Sequence, residues 1–385
     1  MIELQDIFSK YEQAYKLKYK VSIYQEKAIT AIKNCRTSFY GAHIDACNEC
    51  GNVEISYNSC RNRHCPKCQT ISKERWLDAR KDELLPVKYF HAVFTVPDTL
   101  NPLIYQNKRL MYNLIFKASS ETIKELSMDK KYLGGQIGIT AILHTWGQNL
   151  MYHPHIHMMI PAGALTDTNQ WQKSKEKFFI PVKVLSKKFK GKLLYYIKEN
   201  QHKMNFNGTL GYLNDKQHFK SLMDVLYEKD WVVYCKKPFK SSSHVIEYLG
   251  RYTHRVAISN NRIIKIENDM VTFKWRDYKD DSKLKEMTIS AIEFIRRFLL
   301  HILPSGFTKI RHYGFLGNRN KNTKLRLCQK LTGGKLKPLD KKRLSTAEII
   351  LKISGRDITK CSCCGCSKQQ SHYNQMYSKA PPARP

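Results

Sequence analysis

Apolar residues recur along the chain with two periods, one typical of helices and the other typical of strands. Near the N-terminus, Ile7, Phe8 and Tyr11 recur three and four positions apart, which predicts an amphipathic helix. The short apolar run 89–97 has the length and composition of a buried strand instead. The two patterns predict helices over 1–33, 71–85, 103–126 and 289–303, and strands over 89–97, 137–144, 155–160, 231–235, 262–266 and 270–275.

The order of these elements predicts an α+β fold with a mainly antiparallel sheet and flanking helices. Residues 166–230 are rich in lysine and aromatic residues without a clear period, and we expect them to be irregular. The chain has 385 residues, which is enough for two or three domains. We divide it into a helical, cysteine-containing domain over 1–85, a central domain over 86–330 and a basic, cysteine-containing tail over 331–385.

The charge of the chain indicates a polyanionic partner. Its 66 Lys and Arg residues against 33 Asp and Glu residues give a net charge of +33, which an enzyme of small molecules does not need. Such an excess attracts polyanions, and nucleic acid is the usual one. A run of about 18 apolar residues and a signal-peptide pattern are both absent from the sequence. We therefore expect a cytoplasmic, nucleoid-associated protein that binds DNA, with no membrane partner and no small-molecule substrate.

The cysteine content indicates metal binding, because the twelve cysteines of a chain in a reducing compartment are rarely paired as disulfides. Two Cys-x2-Cys pairs near the N-terminus are separated by 14 residues, a spacing that fits a zinc ribbon with a structural role. The predicted ligands of this Zn²⁺ are Cys47, Cys50, Cys65 and Cys68. Cys60 and His64 are spare donors, either substitutes or parts of a second site. Arg61 and Arg63 are predicted to contact phosphates.

The C-terminal part of the chain combines a basic run with further cysteines. From Arg319 to Arg343, ten Lys and Arg residues stand against one acid, Asp340, which predicts a segment in contact with a DNA backbone. The last cysteines of the chain are Cys361, Cys363, Cys364 and Cys366. They are too crowded for one ideal site, and only a partial knuckle from the first and third, or from the second and fourth, is conceivable.

Two histidines separated by one apolar residue, His155 and His157, lie in a predicted strand. Side chains two positions apart on a strand point to the same face, so both imidazoles can bind one divalent cation while Ile156 faces the core. A third ligand is needed, and Gln148 and His144 lie just upstream as candidates. Taken alone, a His-x-His pair on an apolar strand is more often structural than functional.

Tyr248 and Tyr252 lie four positions apart in a predicted helix and therefore share one of its faces. Such tyrosines are usually packing residues, but a tyrosine beside a histidine-bound cation has the chemistry to cleave single-stranded DNA. Arg251 and Arg255 lie beside them and are predicted to bind phosphates, although the same pattern occurs in ordinary surface arginines. The joint occurrence of the histidines, the tyrosines, the cysteines and the charge favours DNA cleavage.

Four stretches of the sequence resemble the rolling-circle HUH transposases of bacterial insertion sequences, the IS91 type. They are 59–69, 143–157, 248–259 and 312–319. The resemblance implies an HUH endonuclease core with Mg²⁺ or Mn²⁺ as the catalytic ion, preceded by a zinc-binding domain that recognises DNA. It also implies nicking at single-stranded element ends, a 5′-phosphotyrosine intermediate and transfer to a target. We prefer Tyr252 over Tyr248 as the first nucleophile, and we expect the stretch that ends at Arg319 to contact DNA.

Three other interpretations remain open at the level of the sequence. A rolling-circle replication initiator or a relaxase would use the same histidines and tyrosines. A zinc-dependent DNA-binding protein without catalysis would need neither the divalent cation nor the tyrosine hydroxyls. A zinc hydrolase that uses His153, His155 and His157 would not explain the charge, and Pro154 disturbs the strand alternation at His153.

Overall fold

A computed structural model of the protein describes residues 2–174, 180–239, 244–245, 248, 250, 253–254, 256–277, 280–334, 336, 343–367 and 373–377. The helices in these ranges are α1 Leu4–Lys18, α2 Ile23–Lys33, α3 Pro66–Lys81, α4 Asn101–Gln106, α5 Lys108–Met128, α6 Val182–Glu199, α7 Lys216–Glu228, α8 Ala291–Leu300, α9 Arg326–Leu331 and α10 Thr346–Ser354. The strands are β1 Ala42–Cys47, β2 Val53–Tyr57, β3 Tyr89–Thr95, β4 Gly138–Trp146, β5 Tyr152–Pro161, β6 Gly163–Leu165, β7 Trp171–Lys173, β8 Val233–Phe239, β9 Ile263–Glu267, β10 Met270–Asp277, β11 Lys283–Ser290, β12 Ile310–Gly314 and β13 Tyr373–Tyr377. Among these described helices, none is long and apolar enough to cross a membrane.

The N-terminal helical region consists of two helices, and the break between them has a local cause. Tyr19 takes an extended backbone conformation and ends α1. Ser22 then begins α2 through a capping box, in which the Ser22 N–H donates to the side-chain oxygen of Gln25 over 3.0 Å. The apolar period therefore predicted the helical content correctly, and the capping residues determine where the chain turns.

A five-stranded sheet forms the centre of the protein. Its strand order is β12-β4-β5-β3-β8, and every neighbouring pair is antiparallel. This arrangement confirms the predicted α+β fold with a mainly antiparallel sheet. In the register of the strands, His155 lies opposite Thr95 on one side and opposite His144 on the other. The histidine pair of β5 is therefore in the middle strand of the sheet, with neighbours on both sides.

The two faces of this sheet have different residues because side chains alternate along each strand. Phe90 and Phe94 of β3 and Ile156 of β5 belong to a large apolar core that also includes residues of α4 to α7. The prediction that Ile156 faces the core is thus confirmed. The opposite face carries His155 and His157, and a smaller apolar cluster with residues of α3 lies beside them. One face therefore stabilises the sheet and leaves the other available for polar chemistry.

The prediction of an irregular stretch over 166–230 is wrong, since α6 and α7 lie within it. Leu185, Phe189 and Leu193 of α6 recur four positions apart and are fully buried. Lysines occupy four of the six positions between them and hide this period in the sequence. Long lysine side chains can line the edge of a buried helix face while their charged ends stay in water.

A second core joins the N-terminal helices to the three-stranded sheet β11-β10-β9 and to α8. Phe8 of α1 and Phe298 of α8 make an edge-to-face contact with ring centroids 5.6 Å apart. Cys35, Cys60 and Cys65 belong to the same core. The first helices thus pack against a segment more than 200 residues away in sequence, and the predicted domain boundary at residue 85 remains a prediction.

Candidate functional site

Three buried histidines form a cluster where β4 and β5 pair. His144, His155 and His157 each offer a ring nitrogen, and these atoms lie within 4.8 Å of one another. His155 Nδ1 lies 2.6 Å from the carbonyl oxygen of His153, so this nitrogen carries the proton and donates it. The Nε2 atom of His155 is therefore an acceptor, and it lies 3.0 Å from Nε2 of His157. The nitrogens of the cluster thus face a common point.

The donor set of the cluster fits a divalent metal ion. Burial lowers the pKa of His155 to about 4, so its imidazole is neutral at neutral pH, as metal binding requires. Imidazole ligands favour transition-metal ions over Mg²⁺, which prefers oxygen ligands. Of the two candidates for a third ligand, His144 belongs to the cluster, whereas Gln148 lies in the turn after β4. His153 is exposed, and its ring is not a member of the cluster. Its backbone carbonyl accepts the hydrogen bond from Nδ1 of His155.

Tyr248 lies at the edge of this cluster, in contact with a histidine that the sequence analysis did not single out. The hydroxyl oxygen of Tyr248 is 2.7 Å from Nε2 and 3.1 Å from Nδ1 of His91, on β3. His91 Nε2 is in turn 2.9 Å from Nδ1 of His157, and the tyrosine oxygen is 3.5 Å from that same atom. A chain of close polar contacts therefore connects the tyrosine to the candidate metal ligands.

His91 was missed because it belongs to no motif. In the register of β3 and β5 it lies opposite Met159, diagonally across from His157. The only signal in the sequence is a histidine within an apolar run that predicts a buried strand, a position where a polar side chain needs a partner. Its partner depends on strand pairing, which the sequence alone does not determine.

The tyrosine segment lies next to helix α3. His244, Val245, Tyr248 and Gly250 are helical, in agreement with the predicted helix. A Cβ atom placed on Gly250 would lie 3.1 Å from Cδ1 of Leu77, so the segment approaches α3 closely. Three of the predicted site residues lie outside the described residues. They are Tyr252, Arg251 and Arg255.

The structure does not bring the four predicted zinc ligands together, and the single predicted site is corrected to two cysteine clusters. The first consists of Cys35, Cys60, Cys65 and Cys68, and the second of Cys47, Cys50, Cys361 and Cys364. The two pairs lie in different elements, because Cys47 and Cys50 belong to the β1–β2 hairpin, whereas Cys65 and Cys68 lie at the beginning of α3. Each cluster has four sulfur donors, the donor set of a structural zinc site.

The first cluster contains one of the two spare donors of the sequence analysis and one cysteine that the sequence analysis missed. Cys60, a spare donor in the sequence analysis, has its Sγ 3.6 Å from Sγ of Cys68, and Cys35 lies 3.5 Å from the same sulfur. Cys35 was missed because no second cysteine lies close to it in the sequence. His64 is not part of the cluster, since its Nε2 accepts a hydrogen bond from the Leu303 N–H over 3.3 Å.

The first cluster lies at the start of α3, the helix next to Tyr248. Cys65 is the N-cap of α3, and Pro66 is the first residue of that helix. Leu77, further along α3, is buried in the small apolar cluster against which Tyr248 packs. A metal ion held by this cluster would therefore stabilise the start of a helix that contacts the site.

The arginines predicted to bind DNA differ in their surroundings. Arg61 and Arg319 are exposed. Arg63 is directed into the fold instead, where its Nη1 donates to the carbonyl oxygen of Phe307 over 2.6 Å and burial lowers the pKa of its guanidinium. Arg63 therefore makes a contact within the fold, and its predicted phosphate contact stays a prediction.

The stretch 312–319 contains residues that hold the end of the sheet. His312 Nδ1 lies 3.1 Å from the hydroxyl oxygen of Thr140, and its other ring nitrogen lies 3.1 Å from Nη1 of Arg80. Gly314 has φ +63°, and Phe315 is fully buried. This part of the stretch has a structural role, and the exposed Arg319 is the residue that stays a candidate for a DNA contact.

Comparisons with known proteins define the class of the protein. Residues 138–324 match the family model described as "Putative transposase", and residues 7–96 match the model of the transposase zinc-binding domain. The chain is 44% identical over 369 residues, 94% of this chain and 92% of the relative, to "Putative transposase y4qJ" of Sinorhizobium fredii. It is 27% identical over 297 residues, 76% of this chain and 70% of the relative, to the transposase for insertion sequence element IS801 of Pseudomonas savastanoi pv. phaseolicola. No solved structure matches the chain.

The chain belongs to the IS91-type transposases with an N-terminal zinc-binding domain. Transposases act on DNA, which agrees with the net charge of +33. The zinc-binding domain match and the cysteine clusters together support a structural Zn²⁺.

Proposed function

We propose that the protein cleaves and rejoins single-stranded DNA at the ends of its element in rolling-circle transposition, with Tyr248 as a nucleophile. The observation that carries this proposal is the 2.7 Å contact between the Tyr248 hydroxyl and His91, beside the three-histidine cluster. A positioned hydroxyl, an adjacent base and a cation site are what nucleophilic attack on a phosphate diester requires. The same chemistry serves rolling-circle replication initiators and relaxases, and membership of the transposase family favours transposition.

The residues that would hold the catalytic cation are His144, His155 and His157. Three imidazole ligands favour Mn²⁺ over Mg²⁺. When bound, the cation supplies a Lewis acid that polarises the scissile phosphate and offsets the charge that develops on its oxygens.

The polar contacts of the site are compatible with two arrangements of its protons. With the Nδ1 proton of His155 donated to a carbonyl, His157 Nε2–H donates to His155 Nε2, and His91 Nε2–H donates to His157 Nδ1. The Tyr248 O–H then donates to Nδ1 of His91. In the second arrangement, the Nε2 lone pairs of His155 and His157 are both used as metal ligands, so the proton of His157 resides on its Nδ1. His157 Nδ1–H then donates to Nε2 of His91, which reverses the direction of that hydrogen bond. His91 Nδ1–H then donates to the Tyr248 oxygen, which favours the phenolate.

In the proposed reaction the Tyr248 oxygen gives up its proton and forms a bond to phosphorus. The bond from phosphorus to the 3′ oxygen breaks, so the 5′ phosphate stays on the tyrosine and the 3′ oxygen takes up a proton to become a free hydroxyl. Rejoining reverses these steps with another 3′-hydroxyl. Tyr252 is proposed as the second tyrosine, so the proposed order of attack is the reverse of the sequence-based preference, and the experiment below decides between the two orders.

A covalent-adduct assay tests this proposal. The protein is incubated with labelled single-stranded DNA from the element ends, with Mn²⁺, Mg²⁺ or EDTA, and separated on a denaturing gel. Tyr248→Phe, Tyr252→Phe and the double substitution His155→Ala/His157→Ala are compared with the wild type. Tyr212→Phe serves as the matched control, because Tyr212 is exposed and belongs to the segment 208–214.

The expected result is a metal-dependent adduct that Tyr212→Phe keeps and Tyr248→Phe loses. An adduct lost only in Tyr252→Phe would assign the first attack to Tyr252 and overturn the role given to Tyr248. DNA binding without any adduct, unchanged by the histidine substitutions, would contradict cleavage altogether and leave a zinc-containing DNA-binding protein.

A further inference from the structure

The second cysteine cluster joins two parts of the chain that lie far apart in sequence. Cys47 and Cys50 come from the β1–β2 hairpin, and Cys361 and Cys364 come from the C-terminal region. The match to the transposase zinc-binding domain ends at residue 96 and therefore covers only the first pair. We propose that these four cysteines bind a second Zn²⁺, which fastens the C-terminal segment to the N-terminal zinc-binding domain.

The two halves of this site have the same local structure. Each half is a Cys-x2-Cys-Gly sequence, with Gly51 after the first pair and Gly365 after the second. The glycine N–H donates to the carbonyl oxygen of the first cysteine, over 2.8 Å from Gly51 to Cys47 and over 3.0 Å from Gly365 to Cys361. Both glycines have a positive φ, +69° and +74°, which L side chains rarely adopt. Two matched turns of this kind present two thiols each toward a common point.

The distances between the sulfurs distinguish a metal site from disulfides. Cys47 Sγ lies 3.7 Å from Cys364 Sγ, and Cys50 Sγ lies 3.7 Å from Cys361 Sγ. A disulfide would bring two sulfurs to about 2.05 Å. Four thiolates at about 2.3 Å from a tetrahedral zinc ion stand about 3.8 Å from one another. The observed spacing agrees with zinc ligation.

Two N–H groups donate hydrogen bonds to the sulfur of Cys361 and favour its thiolate form. Backbone N–H of Cys363 donates to the sulfur of Cys361 over 3.4 Å, and the side-chain amide of Asn52 donates to it over 3.8 Å. Hydrogen bonds to a charged acceptor stabilise its charged form. Cys47 and Cys361 are also buried, so these two cysteines shield a metal ion in the cluster from water.

The backbone around the site connects the same two regions. Strand β13 pairs with β1 in antiparallel register, so that Tyr373 lies opposite Cys47. The Ser362 N–H donates to a carboxylate oxygen of Glu54 on β2, over 3.1 Å. Without the C-terminal segment, Cys47 and Cys50 would supply only half of a tetrahedral site. The zinc-binding module is thus complete only when both regions of the chain are present.

One further thiol in the same segment needs to be controlled. Cys366 Sγ lies 3.2 Å from Sγ of Cys47, and it could replace Cys364 if that residue were substituted. The test therefore uses Cys361→Ser/Cys364→Ser/Cys366→Ser as the C-terminal variant. Cys363→Ser is the matched control, because Cys363 is exposed and is not one of the four cysteines of the cluster.

The experiment measures zinc bound per full-length chain by mass spectrometry of the metal, after purification in the presence of zinc and removal of free ions. The compared proteins are the wild type, the C-terminal variant, Cys47→Ser/Cys50→Ser, and the combination of both. A variant that has unfolded would lose its zinc for a different reason. Circular dichroism detects unfolding directly, and a folded variant also keeps the ion of the cluster that contains Cys60. A separate Cys60→Ser variant identifies that ion.

We expect the C-terminal variant to bind one zinc ion fewer than the wild type and Cys363→Ser, whatever ion the histidine cluster holds. Because two cysteine pairs that share one ion lose only that ion when both pairs are substituted, we expect the combined variant to lack one ion as well. Equal zinc content in the C-terminal variant and the wild type, or loss of two ions in the combined variant, would overturn the proposal.

Discussion

His91 on β3 and His157 on β5 lie 2.9 Å apart, from Nε2 to Nδ1, on the face of the sheet that carries the histidine cluster. The hydroxyl oxygen of Tyr248 lies 2.7 Å from the same Nε2 atom of His91 and 3.5 Å from Nδ1 of His157. A residue outside every recognisable motif therefore contacts both the candidate nucleophile and one of the candidate metal ligands. Its role in the proposed reaction is to orient the tyrosine hydroxyl and to exchange a proton with it.

Replacing His91 with Gln is expected to slow formation of the covalent adduct about 100-fold while DNA binding stays the same, because a positioned imidazole that exchanges a proton with the reacting oxygen contributes about that much or more. Single-turnover kinetics with labelled DNA give the rate, and a gel-shift experiment gives the affinity. His218→Gln, at an exposed histidine of α7, should leave both unchanged. An unaltered adduct rate in His91→Gln would show that the contact is only structural.

Substituting His144 with Ala is expected to raise the Mn²⁺ concentration needed for half-maximal adduct formation by about 10-fold or more, because one of three ligands is removed. His153→Ala is the control, since its backbone carbonyl still accepts the proton of His155 after the side chain is truncated. Titration of the adduct rate with Mn²⁺ measures both. Equal effects of the two substitutions would argue against His144 as the third ligand.

The sequence predicted four of the five strands of the sheet, including its middle strand, because apolar runs and the His-x-His pair are local signals, whereas the edge strand β12 was not predicted. Strand pairing is not local, and His91 acquires its role only through pairing of β3 with β5. The zinc ligands show the same limit. The short spacing of Cys65 and Cys68 predicted them as metal ligands, and that of Cys361 and Cys364 predicted a partial knuckle. Cys35, however, joins its cluster through the fold alone, and only the fold brings Cys361 and Cys364 to Cys47 and Cys50.

The helix α6 shows how charge can hide a period. Its lysines gave the segment the composition of an irregular basic stretch, whereas a residue at every fourth position determines its structure. Composition describes the exposed face of such a helix, and the core depends on the minority of apolar positions.

Truncation of one of these positions, Phe189→Ala, is expected to lower the free energy of unfolding by about 3 to 5 kcal/mol. The ring of Phe189 is fully buried and contacts Phe94 and Trp231, with centroids 5.0 and 5.6 Å apart. Urea unfolding followed by circular dichroism measures the change. Tyr195→Ala, at an exposed residue of the same helix, should change the free energy by about 0.5 kcal/mol or less. Equal effects would mean that α6 does not pack as described.

Gly314 should tolerate no larger residue, although it lies in the stretch first predicted to contact DNA. Its φ is +63°, and a Cβ atom there would lie 1.6 Å from the carbonyl oxygen of Ile137, so backbone would have to move. We expect Gly314→Ala to lower the free energy of unfolding by well over about 1 kcal/mol. Gly191→Ala is the matched control, because Gly191 lies inside α6 with open space where a Cβ atom would be placed. Alanine there should raise the free energy of unfolding by about 0.5 to 1 kcal/mol, the opposite direction. If Gly314→Ala instead leaves stability unchanged and weakens DNA binding, the glycine serves the DNA contact and not the end of the sheet.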